Sequence, residues 1–200
     1  MSKYACLAVV VAIIAPICAA SAQEGAKKST SSGFFVGLGA EGASIMTNDD
    51  AKTTDSGGGA GIVLGYGFST RWSLYGQLSG ATINAGESDD TYSLGHVDVG
   101  ARVHFRAGRN VVVPFLQFGL SARGVSQDVN GVTVRGSGGA LSFGAGLNAH
   151  FTPKVAFSSA VTWSVGNFDR FQVGNLVTGN FSVTATTTRL HVGLLWFPGA

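Results

Sequence analysis

Charge is scarce in this chain of 200 residues. Charged side chains make up 12%, against roughly 25% in ordinary soluble domains. That is too little to solvate a globular surface, and it disfavours a soluble enzyme. The net charge is only +2 and no basic stripe exists, so nothing suits a nucleic-acid partner. Long apolar runs are also missing. After the first twenty residues no stretch approaches the roughly 20 apolar residues of a membrane-spanning helix, which disfavours a helical membrane bundle. Cysteine occurs only as Cys6 and Cys18. Both lie in a segment with Lys3 at its head, an apolar stretch from Leu7 to Ile17 and a small-x-small site at Ala20-Ser21-Ala22. These are the parts of a secretory signal peptide, so residues 1–22 are expected to be removed. The mature chain then carries no cysteine, which argues against a small disulfide-stapled module.

What is abundant is glycine, with 30 residues, and period-two alternation. After a polar tail over residues 23–32, alternating segments follow one another. In the run His96 to Phe105, His96, Asp98, Gly100, Arg102 and His104 take one face and Val97, Val99, Ala101, Val103 and Phe105 the other. This is the strand signature. No stretch after the signal has a sustained 3.6-residue apolar period. Eight strands are expected, at 33–44, 59–68, 72–83, 92–105, 112–124, 138–151, 155–166 and 185–197. Each is about the length that a tilted strand needs to cross a bilayer. The connections alternate between short turns (69–71, 106–111, 152–154) and longer polar loops (45–58, 84–91, 125–137, 167–184). Outer-membrane barrels are built that way, with short periplasmic turns and longer external loops. The fold class read here is all-β, an eight-stranded antiparallel up-and-down transmembrane β-barrel over residues 33–198.

The two faces have different chemistry. One carries Glu41, Gln77, Asp98, Arg102, Gln117, Arg123, Asn148 and Arg189 among glycines and serines. That set reads as too small and too polar for a core, and so as a lumen. Within it Glu41, Asp98, Arg102, Arg123 and Arg189 are expected to form a charge network that plugs the barrel. On the other face Phe34, Phe68, Trp72, Phe105, Phe151 and Trp196 all lie at strand ends that meet a short turn or a chain terminus. This spacing predicts an aromatic girdle at one membrane interface. Glu41 and Arg189 each lie seven residues from a girdle residue, Phe34 and Trp196. A direct Glu41–Arg189 pair across the closing seam is therefore expected, with Arg123 or Arg102 as the partner if shear offsets the heights.

With these features the chain resembles the small eight-stranded outer-membrane barrels of the OmpA/OmpX type and the generic outer membrane protein β-barrel domain family. His191-Val192-Gly193-Leu194-Leu195-Trp196 is similar to the terminal strand that the barrel-insertion machinery reads, which marks His191, Gly193, Leu194, Trp196 and Phe197 as an insertion signal. Family members commonly finish on an aromatic residue, whereas this chain continues through Phe197-Pro198-Gly199-Ala200. The resemblance implies a bacterial outer-membrane location. It also implies as partners the lipid bilayer with lipopolysaccharide, the insertion machinery and periplasmic chaperones. Two function classes follow: a structural or surface-interaction barrel acting through its external loops, or a narrow porin or lateral channel for small or apolar solutes.

Other motifs have plainer readings. Gly37-Leu-Gly39-Ala-Glu-Gly42 matches a dinucleotide fingerprint, but no helical pattern follows to hold a pyrophosphate. His96, His104, His150 and His191 all fall on the lumen face, where histidine serves as a hydrogen-bonding group. No metal set, catalytic group or cofactor is expected. Asp49, Asp50, Asp55, Glu87, Asp89 and Asp90 in the first two long loops read as solvated loop charges. Alternatively they bind cations that bridge lipopolysaccharide, or an external partner.

Overall fold

Nine strands follow one another without a helix among the described residues: β1 Gly33–Thr47, β2 Thr54–Gly67, β3 Trp72–Asn84, β4 Thr91–His104, β5 Val112–Val129, β6 Val132–His150, β7 Val155–Val173, β8 Leu176–Thr178 and β9 Val183–Trp196. A computed structural model describes residues 31–47, 54–85, 91–105, 107, 110–129, 131–174, 176–178 and 182–199. The signal segment, most of the polar tail, and Asp49, Asp50, Glu87, Asp89 and Asp90 lie outside the described residues. Each long strand pairs antiparallel with the next, β7 pairs with β9, and β9 pairs with β1. The sheet is thus closed into an eight-stranded barrel. The three-residue β8 only extends the outer end of β7, through Phe171 to Val173.

The alternation has the expected consequence. Leu38, Leu141 and Leu120 are 73%, 66% and 60% exposed, and they stand on a wall of outward apolar side chains that includes Leu64, Val99 and Leu194. An apolar surface of that extent on every strand suits lipid rather than water. Phe34, Phe68, Trp72, Phe105, Phe151 and Trp196 are all on the outer face at the short-turn end. Hydroxyl side chains shape two of those turns. Ser69 Oγ accepts from the amides of Arg71 (3.2 Å) and Trp72 (3.0 Å), and Thr152 Oγ1 accepts from those of Lys154 (3.2 Å) and Val155 (3.0 Å).

At the opposite end the strands run further than the apolar alternation predicts. The loop expected at 125–137 is instead a tight hairpin in which Val129 pairs with Val132 around Gly131, whose φ is +80°. The loop at 167–184 is largely the continuation of β7 together with β8, and β2 begins at Thr54 within the expected loop 45–58. Apolar alternation stops where lipid stops, but backbone pairing continues into water. A β-bulge between Ser137 and Gly138 leaves Asp169 as the extra residue, since Gly138 faces Phe168 and Ser137 faces Arg170.

Candidate functional site: the lumen and its mouth

Inward side chains fill the barrel in three layers. Next to the short turns, Phe35, Val63, Tyr75, Ala156, Leu195 and Phe197 form a buried apolar cluster. The Phe35 and Phe197 rings are 5.6 Å apart, and the His150 ring lies tilted against Phe197 at 5.5 Å. At the far end Ala43, Ile45, Ala81, Ile83, Leu94, Phe168 and Ala185 make a second cluster, against which Tyr92, Val125 and Phe171 pack. The inner face is therefore not too polar for a core. Phe35, Tyr75 and Phe115 share their parity with Glu41, Gln77 and Gln117, and they fill the space that the neighbouring glycines and serines leave. Phe197 belongs to this inner core at 2% exposure, and continues the inward parity of His191 and Leu195.

The polar layer between these clusters holds one ion pair. Arg189 Nη1 and Nη2 donate to Asp98 Oδ2 and Oδ1 at 2.7 and 2.9 Å, a bidentate geometry with both residues 2% exposed. The same guanidinium reaches the Ser79 and Ser164 hydroxyls at 3.3 Å each. β9 and β4 are separated by three strands in either direction, so the pair spans the lumen from wall to opposite wall.

This corrects the expected Glu41–Arg189 pair. The seam register sets Glu41 opposite His191, and Ala43 opposite Arg189, because Trp196 faces Val36 rather than Phe34. The two-residue offset lifts Arg189 away from Glu41 and lets it cross to Asp98. Glu41 instead accepts a hydrogen bond from Gln77 Nε2 at 3.1 Å, and lies 3.9 Å from His191 Nδ1.

Nor do the five charged residues form one connected network. Arg102 sits in the lower layer, 4.6 Å from the Tyr75 ring centre and 4.8 Å from that of Phe115, and donates to Gln117 Oε1 at 3.0 Å. Gln117 passes the chain on to Thr162 Oγ1 at 2.7 Å. Arg123 sits in the upper layer, 4.7 Å from the Phe168 ring centre, and donates to the Ala185 carbonyl at 3.0 Å. Aromatic faces and carbonyl oxygens thus stand beside these two cations in place of carboxylates, while Arg102 Nη1 and Arg123 Nε and Nη2 have no hydrogen-bond partner among the described residues.

The four histidines are buried on the inner face. They are scattered: His104 Nε2 lies 2.9 Å from Ser73 Oγ, and His96 Nε2 3.4 Å from Thr187 Oγ1. Among the described residues no three His, Cys, Asp or Glu side chains group as metal ligands would. Gly193, within the expected insertion signal, faces Gly39 across the seam, and a Cβ there would collide with the Leu38 carbonyl oxygen.

Above the upper cluster the barrel opens into a cup of about 350 Å³, lined by Ile45, Val125, Val134, Phe168, Phe171 and Val183 with Tyr92 and Asp55 at its edge. The Tyr92 hydroxyl donates to Asp55 Oδ2 at 3.0 Å. The sequence pattern placed this region, apart from Tyr92, in loops and gave no sign of the cup.

Residues 10–193 match the family model described as outer membrane protein beta-barrel domain. The structure is similar to that of Neisserial surface protein A, with a TM-score of 0.63 at 18% identity, covering 83% of this chain and 97% of that one. OprG from Pseudomonas aeruginosa gives 0.57 at 13%, covering 84% and 97%. Ail, the attachment invasion locus protein of Yersinia pestis, gives 0.53 at 17%, covering 82% and 99%. No curated protein sequence matches the chain.

Proposed function

The chain belongs to the outer membrane protein beta-barrel domain family, and from that premise we propose that it is a sealed barrel, a structural or surface-interaction protein rather than a pore. The observation that carries this reading is the Asp98–Arg189 strut across the lumen, enclosed between two apolar layers. A hydrated ion following the axis would have to displace Phe35 and Phe197, then a bidentate buried ion pair, then Ile83 and Phe168. In this reading residues 1–22 direct export and are cleaved, and the short turns face the periplasm. The strand extensions around Gly131 and Gly174 then stand outside as a rim that meets partners. Planar-bilayer recording tests the seal: no discrete conductance steps are expected, and stable ohmic steps from the intact protein would overturn it.

The cup supports a second reading, in which a small apolar solute is received at the mouth. An apolar fluorophore whose emission rises with the wild type but not with Phe171→Asp would favour it.

A further inference from the structure

The cup at the mouth has a cation beneath it. Phe168 lines the cup, and its ring centre lies 4.7 Å from the Arg123 guanidinium carbon. Gly138 stands between the two in one cross-strand row and contributes no side chain there. Arg123 Nη1 donates to the Ala185 carbonyl at 3.0 Å and to Thr187 Oγ1 at 3.3 Å. Nε and Nη2, along another edge of the same fork, have no hydrogen-bond partner among the described residues. Among those residues no carboxylate stands within ion-pair distance of Arg123 either: Asp98 is held by Arg189, and Glu41 lies beside Gln77 and His191. Arg123 is nevertheless 2% exposed. Enclosing a cation without a counter-charge is costly, and an ionisable side chain kept at membrane depth typically marks a site of binding or passage.

The bulge builds the apolar part of the same site. Strict alternation from Phe168 would turn Arg170 inward; the extra residue Asp169 turns Arg170 outward and Phe171 inward instead. Two phenylalanines thereby face the cup, with Ile45, Val125 and Val183 around them. At about 350 Å³ the cup is near the lower end of the ~300–1,000 Å³ of small-molecule sites, which suits a short alkyl chain or a small ring system. The charges sort the head group. Asp55 stands at the edge of the cup, where it accepts from the Tyr92 hydroxyl, whereas the cation is at the base. The Nε–Nη2 edge of a guanidinium takes both oxygens of a carboxylate in parallel. We propose that the cup binds a small amphipathic monocarboxylate, its apolar body against Phe171, Val125 and Ile45 and its carboxylate on that edge of Arg123. Phe168 covers the edge and turns aside as the ligand enters. The proposal rests on the second reading above, in which the cup receives a solute, and gives that solute its chemical class. Arg123 meets Ala185 and Thr187, which lie nearer the mouth than Arg189 on β9, so the ligand stays above the Asp98–Arg189 strut and binding needs no open lumen.

Decanoate, decanol and decylamine share one chain and differ in the head group. Their binding to the full-length barrel in phosphatidylcholine nanodiscs is measured by calorimetry near neutral pH, with protein-free nanodiscs subtracted. The wild type should bind decanoate at least ~tenfold more tightly than either of the others, as charge-assisted hydrogen bonds imply. Arg123→Gln should bring decanoate down to the affinity of decanol and leave decanol unchanged, which also shows that the variant is assembled. Decanoate labelled at its carboxyl carbon gives a second readout by NMR: on the wild type the bound carboxylate should stay ionised to lower pH than on Arg123→Gln. Equal affinity for decanoate and decanol in the wild type, or undiminished decanoate affinity in Arg123→Gln, would overturn the carboxylate site while leaving the cup a receptor for apolar solutes. A preference for decylamine would also overturn it and place the head group on Asp55. If none of the three binds, the second reading fails and this proposal fails with it.

Discussion

Removing the Asp98 carboxylate is the most direct perturbation of the lumen. In Asp98→Ala the Arg189 guanidinium keeps only the Ser79 and Ser164 hydroxyls, both at 3.3 Å, and remains enclosed at 2% exposure. Leaving one member of a buried pair uncompensated typically costs about 3–5 kcal/mol. Glu41 lies two residues along the seam from the position facing Arg189, and its capture of the freed cation pulls the cost toward the lower end of that range. Glu41→Ala by itself removes the hydrogen bond from Gln77 and the contacts with Ser79 and His191, and should cost no more than about 1.5–3 kcal/mol. Urea unfolding in lipid vesicles, followed by tryptophan fluorescence and by gel mobility, gives both values. Asp98→Ala/Arg189→Ala should recover at least ~2 kcal/mol relative to the sum of the single changes. Asp98→Ala/Glu41→Ala should be worse than additive, because it removes the substitute partner. Equal losses from Glu41→Ala and Asp98→Ala, or strict additivity of Asp98→Ala with Arg189→Ala, would refute the assignment of the strut.

Three further outcomes follow from the layering and the outer wall. Val99 faces outward within the apolar band, two residues inside its outer edge at Val97, so Val99→Arg should cost roughly 1–3 kcal/mol in vesicle unfolding while Val99→Leu is nearly silent; an equal response to both would remove the lipid-facing assignment. Phe197 is a buried plug residue packed on Phe35 and His150, so Phe197→Ala should lower unfolding stability by about 3–5 kcal/mol once the barrel is assembled. A change confined to assembly rate would mean that the residue serves insertion alone. Single cysteines at Gly131 or Gly174 should react with a membrane-impermeant maleimide on intact cells and those at Thr70 or Pro153 should not; the reverse pattern would invert the orientation.

Much of this architecture could be read from the chain because lipid and lumen impose two environments on alternate residues. In β4 the parity of His96, Asp98, Arg102 and His104 is visible in ten residues, and the structure buries all four. Two features escaped for opposite reasons. Phe35, Tyr75 and Phe115 share the inward parity, but aromatic residues also crowd the outward face, so identity alone does not say which of Phe34 and Phe35 turns inward. Only counting from Glu41 decides it. The outer hairpin of β5 and β6 carried a local signal, since Asn130-Gly131 is a preferred two-residue turn sequence between extended segments. Apolar alternation, used as the criterion for a strand, could not see it because those residues stand above the lipid. The pairing of Arg189 is different in kind. Counting from the strand ends gives Glu41 and Arg189 equal heights only if the ends of β1 and β9 are level. Closing eight tilted strands requires a stagger that belongs to the whole barrel and to no local window. At this seam it appears as Trp196 facing Val36. That displacement of two residues keeps every side chain on its proper face while changing its neighbour, which is why the lumen charges could be found in the sequence and their partners could not.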